Sequence, residues 1–264
     1  MKQIIIIIIF LTLFFPTASK SSETNEQINL GKFTEKRIAE LIKQSSTYNS
    51  NNQKIDFISE QFMGVPYLES TLIGNDKTEE VLTINLAGLD CFTYIDYVEA
   101  IRLSSKFDEF KSNIIKVRYK DGTISYPSRN HFFSDWANSD TSGIKDITKS
   151  IGGESVILAN KYLNKKKDGT LYLTDIPVVK RQIAYIPSGK IDKSITDNLE
   201  TGDYVGIYSD KDGLDVSHTG ILIKKGNRLF LRHASSRSEN RRVVDEELLN
   251  YLKNKPGIVV YRSL

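Results

Sequence analysis

The sequence predicts an α+β fold, with helices in its first half and an antiparallel sheet in its second. Three observations carry that expectation. Helical periodicity governs Leu30 to Gln61, three consecutive strand candidates fill Gly202 to Ser236, and between these regions a helix start at Asp90 opens directly on the sole cysteine, Cys91. No internal repeat interrupts this order.

Each element has a local reason. In LGKFTEKRIAELIKQ (Leu30 to Gln44) Phe33, Ile38, Leu41 and Ile42 share one helical face, and the polar run Ser45 to Asn52 is a loop. A second helix is expected over Lys54 to Gln61, stopped by Gly64 and Pro66. Glu80 to Leu86 has β-character and leads to Asp90, an N-cap residue followed by a helical pattern through Ala100. Ile114 to Arg129 reads as a hairpin turning at Asp121-Gly122, and Arg129 to Ser139 as the start of a short helix. Ile151 to Leu163 is expected to be helical and the following NKKKDGT a surface turn. Asp168 to Val179 and Ala184 to Gly189 read as extended. Strands are expected over Gly202–Asp210, Ser217–Gly226 and Asn227–Ser236, then a helix over Asp245–Asn254 and a last strand in GIVVYRSL.

The first residues have the layout of a secretory signal: Lys2, an apolar run from Ile4 to Phe15, then Pro16, Thr17, Ala18 and Ser19. That run is about twelve residues, short of the ~20 needed to span a bilayer. The expected product is therefore exported, periplasmic or secreted, with no stable membrane insertion after cleavage; an uncleaved anchor is the alternative. The divisions are a signal over residues 1–19, a helical extension over 20–56 and one main domain over 57–264, with a polar, unstructured stretch from Ser21 to Glu26. Thirty-six Lys and Arg against 33 Asp and Glu give a net charge of +3, with both signs mixed along the chain, so no nucleic-acid partner is expected.

An exported chain with one thiol has no internal disulfide partner, so Cys91 is either a small buried residue or a reagent. Its place in the first turn of a helix favours the reagent, because the macrodipole's positive end lowers a thiol pKa. The chain has three histidines, His131, His218 and His233. His218 opens one strand candidate and His233 nearly closes the next. With a two-residue loop at either Lys225-Gly226 or Gly226-Asn227 the two imidazoles share a face of the sheet; an odd loop would separate them. One thiol and two such histidines are the parts of an activated nucleophile, with the Cys91 N–H placed to donate to an oxyanion. Taken singly, a lone thiol is more often a core residue and a strand histidine more often structural than catalytic. A zinc site lacks the C-x-x-C or H-E-x-x-H spacing, so no metal and no cofactor is expected.

Four segments, in order, resemble the NlpC-type, papain-like cell-wall hydrolase superfamily: GVPYLESTL (Gly64 to Leu72), LDCFTYIDYVEA (Leu89 to Ala100), TGDYVGIYSD (Thr201 to Asp210) and SHTGILIKKGNRLFLRHASS (Ser217 to Ser236). Phe92-Thr93 stand where the common branch has Ser-Gly. Together with SRNHFFSDW (Ser128 to Trp136) and HASS, they make the chain similar to the N-acetylmuramoyl-L-alanine amidase-like branch. The resemblance implies a papain-like fold with the nucleophile at a helix N-terminus packed on an antiparallel sheet. It also implies hydrolysis of the N-acetylmuramoyl-L-alanine bond of muropeptides, with Cys91 as nucleophile, His218 as base and His233 as its orienting partner; the alternatives are an endopeptidase cutting between D-glutamate and the diamino acid, or a non-catalytic muropeptide-binding protein. Tyr67 would border the pocket. Asp90 is a cap or a substrate contact, the cap being explained by position alone. Arg129, His131 and Trp136 either form a local helix start with Trp136 in the core or wall the cleft, with Arg129 meeting a peptide carboxylate.

Overall fold

The computed structural model describes residues 26–138 and 143–264. The expected signal lies outside the described residues. Glu26, expected to be unstructured, instead opens β1 (Glu26–Asn29). Thr34 caps α1 (Glu35–Ser45) by accepting from the Arg37 N–H, and Ser50 caps α2 (Asn51–Glu60) in the same way through Gln53. β2 (Leu82–Asn85) pairs in parallel with β1 and leads to α3 (Cys91–Leu103).

The hairpin expected over Ile114–Arg129 is not formed. α4 (Phe107–Arg118) occupies its first half, because Phe110, Ile114 and Val117 recur at helical spacing and are buried against α3. Asp121 and Gly122 do take left-handed conformations, with φ of 54° and 65°, so the turn signal was real although no strands flank it. A short α5 (Phe133–Ala137) follows as expected. After β3 (Ile144–Asp146), the expected 151–163 helix gives way to α6 (Thr148–Gly152) and an edge strand, β4 (Ile157–Leu163). β4 pairs over its whole length with β5 (Val179–Pro187), and those ladder bonds outweigh the helix-favouring Leu, Ala and Lys residues of ILANKYL. Asp168 to Val178 is irregular rather than extended; the Asn164 side chain holds it through Leu173 and Ile176.

After α7 (Lys193–Asn198) come β6 (Tyr204–Tyr208), β7 (Val216–Lys225) and β8 (Arg228–Ala234), close to their expected bounds. β9 (Val243–Glu247) takes the first residues of the expected C-terminal helix, because Val243 to Glu247 pair with β8. α8 (Leu248–Tyr251) is what remains of that helix, and β10 (Gly257–Ser263) closes the chain. The main sheet runs β4-β5-β10-β6-β7-β8-β9, all antiparallel, with β3 also on β10. This is the α+β arrangement expected from the element order.

Period-two alternation divides the sheet's two faces between two cores. Tyr204, Ile221, Ile223, Val259 and Tyr261 pack with α1 to α4, whereas Val205, Ile207, Leu222, Leu231 and Val260 pack with α6 to α8. α3 is buried almost all round. Asp96 bonds Arg118 of α4 at 3.0 Å, Glu99 accepts from the Tyr204 hydroxyl at 2.8 Å, and Tyr97 accepts from the Asn85 N–H at 2.8 Å. Removing one partner of the buried Asp96–Arg118 pair leaves an uncompensated charge, at a cost of about 3–5 kcal/mol. These contacts fix the N-terminus of α3, and so Cys91, against the sheet. Among the described residues no helix is long and apolar enough to cross a membrane.

Candidate active site

Asp90 caps α3: its Oδ1 accepts from the Phe92 N–H at 3.0 Å and the Thr93 N–H at 2.8 Å, and Thr93 Oγ1 accepts from the Asp90 N–H at 3.0 Å. Cys91 is the first residue of the helix. The Thr219 hydroxyl donates to the Cys91 carbonyl at 2.8 Å, which ties the helix end to β7.

The cap has an electrostatic consequence that the sequence did not disclose. Burial, with the Asp90 charge second, pushes the Cys91 thiol up to about 11, against hydrogen bonds from Thr219 that lower it. The carboxylate that starts the helix also offsets its positive pole and occupies the Phe92 amide. The lowered thiol pKa expected from the helix N-terminus is therefore not what these surroundings produce. Of the first amides, Cys91 N–H remains for an oxyanion.

Lys225 faces Arg228, so the β7–β8 loop is Gly226-Asn227. Continuing that register puts His233 across from Gly220, with His218 one same-face step away. The rings meet edge to face, with His218 Nε2 2.6 Å from His233 Nδ1. Gly220 makes this possible: a Cβ there would lie 3.0 Å from His233 Cβ and 2.9 Å from the Arg232 carbonyl. Burial, with Lys255 and Arg237 adding to it, brings His218 down to about 4. Burial, with His218 and Arg237 adding to it, brings His233 down to about 3. With both pKa values well below 7, both rings are neutral at pH 7, and one N–H···N bond joins them.

Cys91, His218 and Thr219 line one cavity of about 380 Å³. Phe92, Phe132, Phe133, Tyr172, Leu173 and Leu214 make its walls mainly apolar, and His131 also lines it. His131 Nε2 donates to the Tyr126 carbonyl at 2.8 Å, and burial lowers that ring's pKa. Tyr67 lies beside Leu89 through an isolated bridge. Burial, then the Cys91 and Asp90 charges, push its hydroxyl up to about 12, which puts that hydroxyl within electrostatic reach of the thiol.

Two of the expected cleft residues lie elsewhere. Arg129 is held by the buried carboxylate of Glu80 and by the Gly74 carbonyl, so its charge is already matched. Trp136 is 1% exposed and sits in the core against Phe92, Phe133 and Tyr204. Other residues of the site were not foreseen. Thr219 follows His218 directly, Tyr251 packs against both imidazoles, and Glu246 Oε1 lies 3.0 Å from His233 Nε2. Reading Val243–Glu247 as a strand would have put Glu246 one same-face step from Val244, the residue opposite His233.

An α3 N-terminus carrying a thiol beside a buried histidine pair, on an α+β scaffold, defines the class of protein to look among. Residues 57–258 match the model of the AmiA-like, N-acetylmuramoyl-L-alanine amidase-like family, and the chain belongs to that family. Solved structures share the fold. A Legionella pneumophila protein is 26% identical with a TM-score of 0.72, covering 87% of this chain and 94% of its own. An N-acetylmuramoyl-L-alanine amidase from Bacteroides uniformis is 27% identical with a TM-score of 0.66, covering 80% of this chain and 98% of its own. A Bacteroides fragilis protein described as a candidate xylanase is 29% identical with a TM-score of 0.64, covering 78% and 99%. No curated protein matches the sequence. Membership makes the chain an amidase-like cell-wall hydrolase with a peptidoglycan-related substrate.

Proposed function

We propose that this protein is a cysteine-dependent N-acetylmuramoyl-L-alanine amidase acting on muropeptides, with an NlpC-type, papain-like arrangement of its site. The observation that carries the reading is the meeting of Cys91 and His218 in one apolar cavity, with His233 bonded to His218 from behind. A glycosidase needs two carboxylates flanking the scissile bond. Asp215 is the one carboxylate among the cavity's lining residues, and it is spent on the Ser134 and Val216 amides.

With the thiol held high and both imidazoles neutral, deprotonation accompanies attack instead of preceding it. His218 takes the Cys91 proton as Sγ adds to the lactyl carbonyl, and the oxyanion is met by the Cys91 N–H and the Tyr67 hydroxyl. The imidazolium passes that proton to the alanine nitrogen. The C–N bond breaks, and the stem peptide leaves from a thioester to the sugar's lactyl group. Water, deprotonated by His218, then releases the free acid and restores the thiol. No step is assigned to a metal, so activity is expected to survive chelator treatment; loss on chelation alone would overturn the scheme.

Mass spectrometry of digested muropeptides tests the bond. Release of the intact stem peptide is expected, and a released dipeptide would instead identify an endopeptidase cutting between D-glutamate and the diamino acid. Purified Cys91→Ala retaining full activity would remove the thiol from the mechanism. The reading also includes export from a bacterial cell after loss of residues 1–19, with the segment 20–56, which holds β1, α1 and part of α2, ahead of the catalytic unit at 57–264. The mass of the protein recovered outside the cytoplasm checks it; recovery only as the full chain in the cytoplasm would refute it.

A further inference from the structure

We infer that Glu246 is a fourth member of the site, a positioning residue that sets the tautomers of both histidines and so makes His218 Nδ1 the base. The inference rests on Cys91 and His218 being the reacting pair. Glu246 reaches His233 from β9, with Oε1 at 3.0 Å from Nε2. Its remaining contacts are all donors: the Ser235 hydroxyl at 3.2 Å, the Asn240 amide at 3.3 Å and Arg237 Nη1 at 2.7 Å on Oε2. A carboxylate surrounded by donors accepts on every side, so the atom facing it, His233 Nε2, carries a hydrogen.

The rest follows by exclusion. A neutral imidazole has one N–H, so His233 Nδ1 is a lone pair. The 2.6 Å contact then requires His218 Nε2 to be the donor. His218 Nδ1 is left with the lone pair, on a ring that lines the same cavity as Cys91. The opposite assignment would set the His233 Nε2 lone pair against an anion. During attack His218 Nδ1 gains the thiol proton, and the positive charge that forms is met by the His233 lone pair and, one ring further, by Glu246. No proton need pass to Glu246. Arg237 orients that carboxylate and also lies over the Tyr251 ring, 4.7 Å from its centre, which holds the outer end of the chain in place.

The test is Glu246→Ala, with Glu246→Gln beside it, in the full protein. Two readouts need no substrate: the ring-nitrogen ¹⁵N spectrum of His218 and the alkylation rate of Cys91 by iodoacetamide. Expected for Glu246→Ala are a kcat about 100-fold lower with KM within about twofold, slower alkylation, and a His218 spectrum shifted from one tautomer to a mixture. Glu246→Gln, which can still accept but carries no charge, should fall between Glu246→Ala and wild type. A wild-type kcat together with an unchanged tautomer in Glu246→Ala would overturn the inference. If that variant does not fold, Arg237→Ala, altered at a half-exposed side chain, is expected to give the same changes at smaller size, and its lack of any effect would count equally against the role. A wild-type protein that cleaves no muropeptide but keeps the single His218 tautomer would refute the proposed substrate while leaving the relay intact.

Discussion

The site joins two regions that do opposite things to protons. At the α3 N-terminus the surroundings hold a proton on: burial and the Asp90 cap push the Cys91 thiol up to about 11. At the strand edge formed by β7, β8 and β9 they hold protons off, bringing His218 down to about 4 and His233 to about 3. At neutral pH these values leave the thiol protonated and both imidazoles neutral. The difference teaches that a helix N-terminus does not guarantee a thiolate, since the residue that caps the helix decides how much of the positive pole survives. The strand edge supplies the pull that the helix end lacks.

The largest break in this division is His218→Ala. It removes the group proposed to take the thiol proton, so kcat should fall on the order of 10⁴-fold or more. If the two residues act as one unit, as proposed, His218→Ala combined with Cys91→Ala should be no slower than either alone; a multiplicative loss in steady-state assays would show that they work independently. Tyr67→Phe comes next. If its hydroxyl is the second oxyanion donor, kcat falls about 10²-fold with KM nearly unchanged. A raised KM at constant kcat would make Tyr67 a binding wall instead.

The pH dependence sharpens the comparison without a mutation. The proposed mechanism starts from neutral His218 and a protonated thiol, so the acid limb of kcat/KM should lie near 4 rather than near the free-imidazole value of 6.5. The two histidines titrate as a pair, so the limb belongs to the pair. Stability has its own sign. Histidine pKa values lowered by folding mean that the unfolded chain binds more protons between about 4 and 6.5, so the contribution is present above 6.5 and is lost as pH falls toward 4. Denaturant midpoints at pH 7 and pH 5 measure it: the pH 5 midpoint should be lower, and His218→Ala should shrink the gap.

What the sequence disclosed divides along similar lines. Cys91 at a helix start and the shared face of His218 and His233 were legible because each depends on a local rule, a cap in one case and a two-residue turn in the other. Gly220 fits the same rule, since the strand pair needs a residue without a Cβ opposite His233. Glu246 was hidden because DEELLNYLKN has a sound helical pattern, which pairing with β8 overrides through Glu247. α4 was hidden for the converse reason: a true left-handed Asp121-Gly122 turn drew a strand reading onto flanks that pack as a helix. Arg129 and Trp136 belong to a segment whose neighbours do line the cleft, but their partners, Glu80 and Tyr204, lie 49 and 68 positions away in the chain (129 − 80 and 204 − 136). No local pattern reports such pairings.

The smallest expected effect tests the cap itself. Asp90→Asn keeps an oxygen for the Phe92 and Thr93 amides, and Asn caps helices about as well as Asp, so stability should stay within about 1 kcal/mol. What changes is the charge beside Cys91. Without it the thiol pKa falls, because Asp90 is the second-largest influence raising it after burial. Iodoacetamide alkylation at pH 7 should then quicken by roughly threefold, part of the gain in thiolate being offset by its lower nucleophilicity. Asp90→Ala would confuse the two roles, since it also removes the cap at a cost of about 1 kcal/mol. An unchanged alkylation rate in folded Asp90→Asn would mean that burial alone holds the proton on Cys91, and the contrast between the two regions would reduce to one of desolvation.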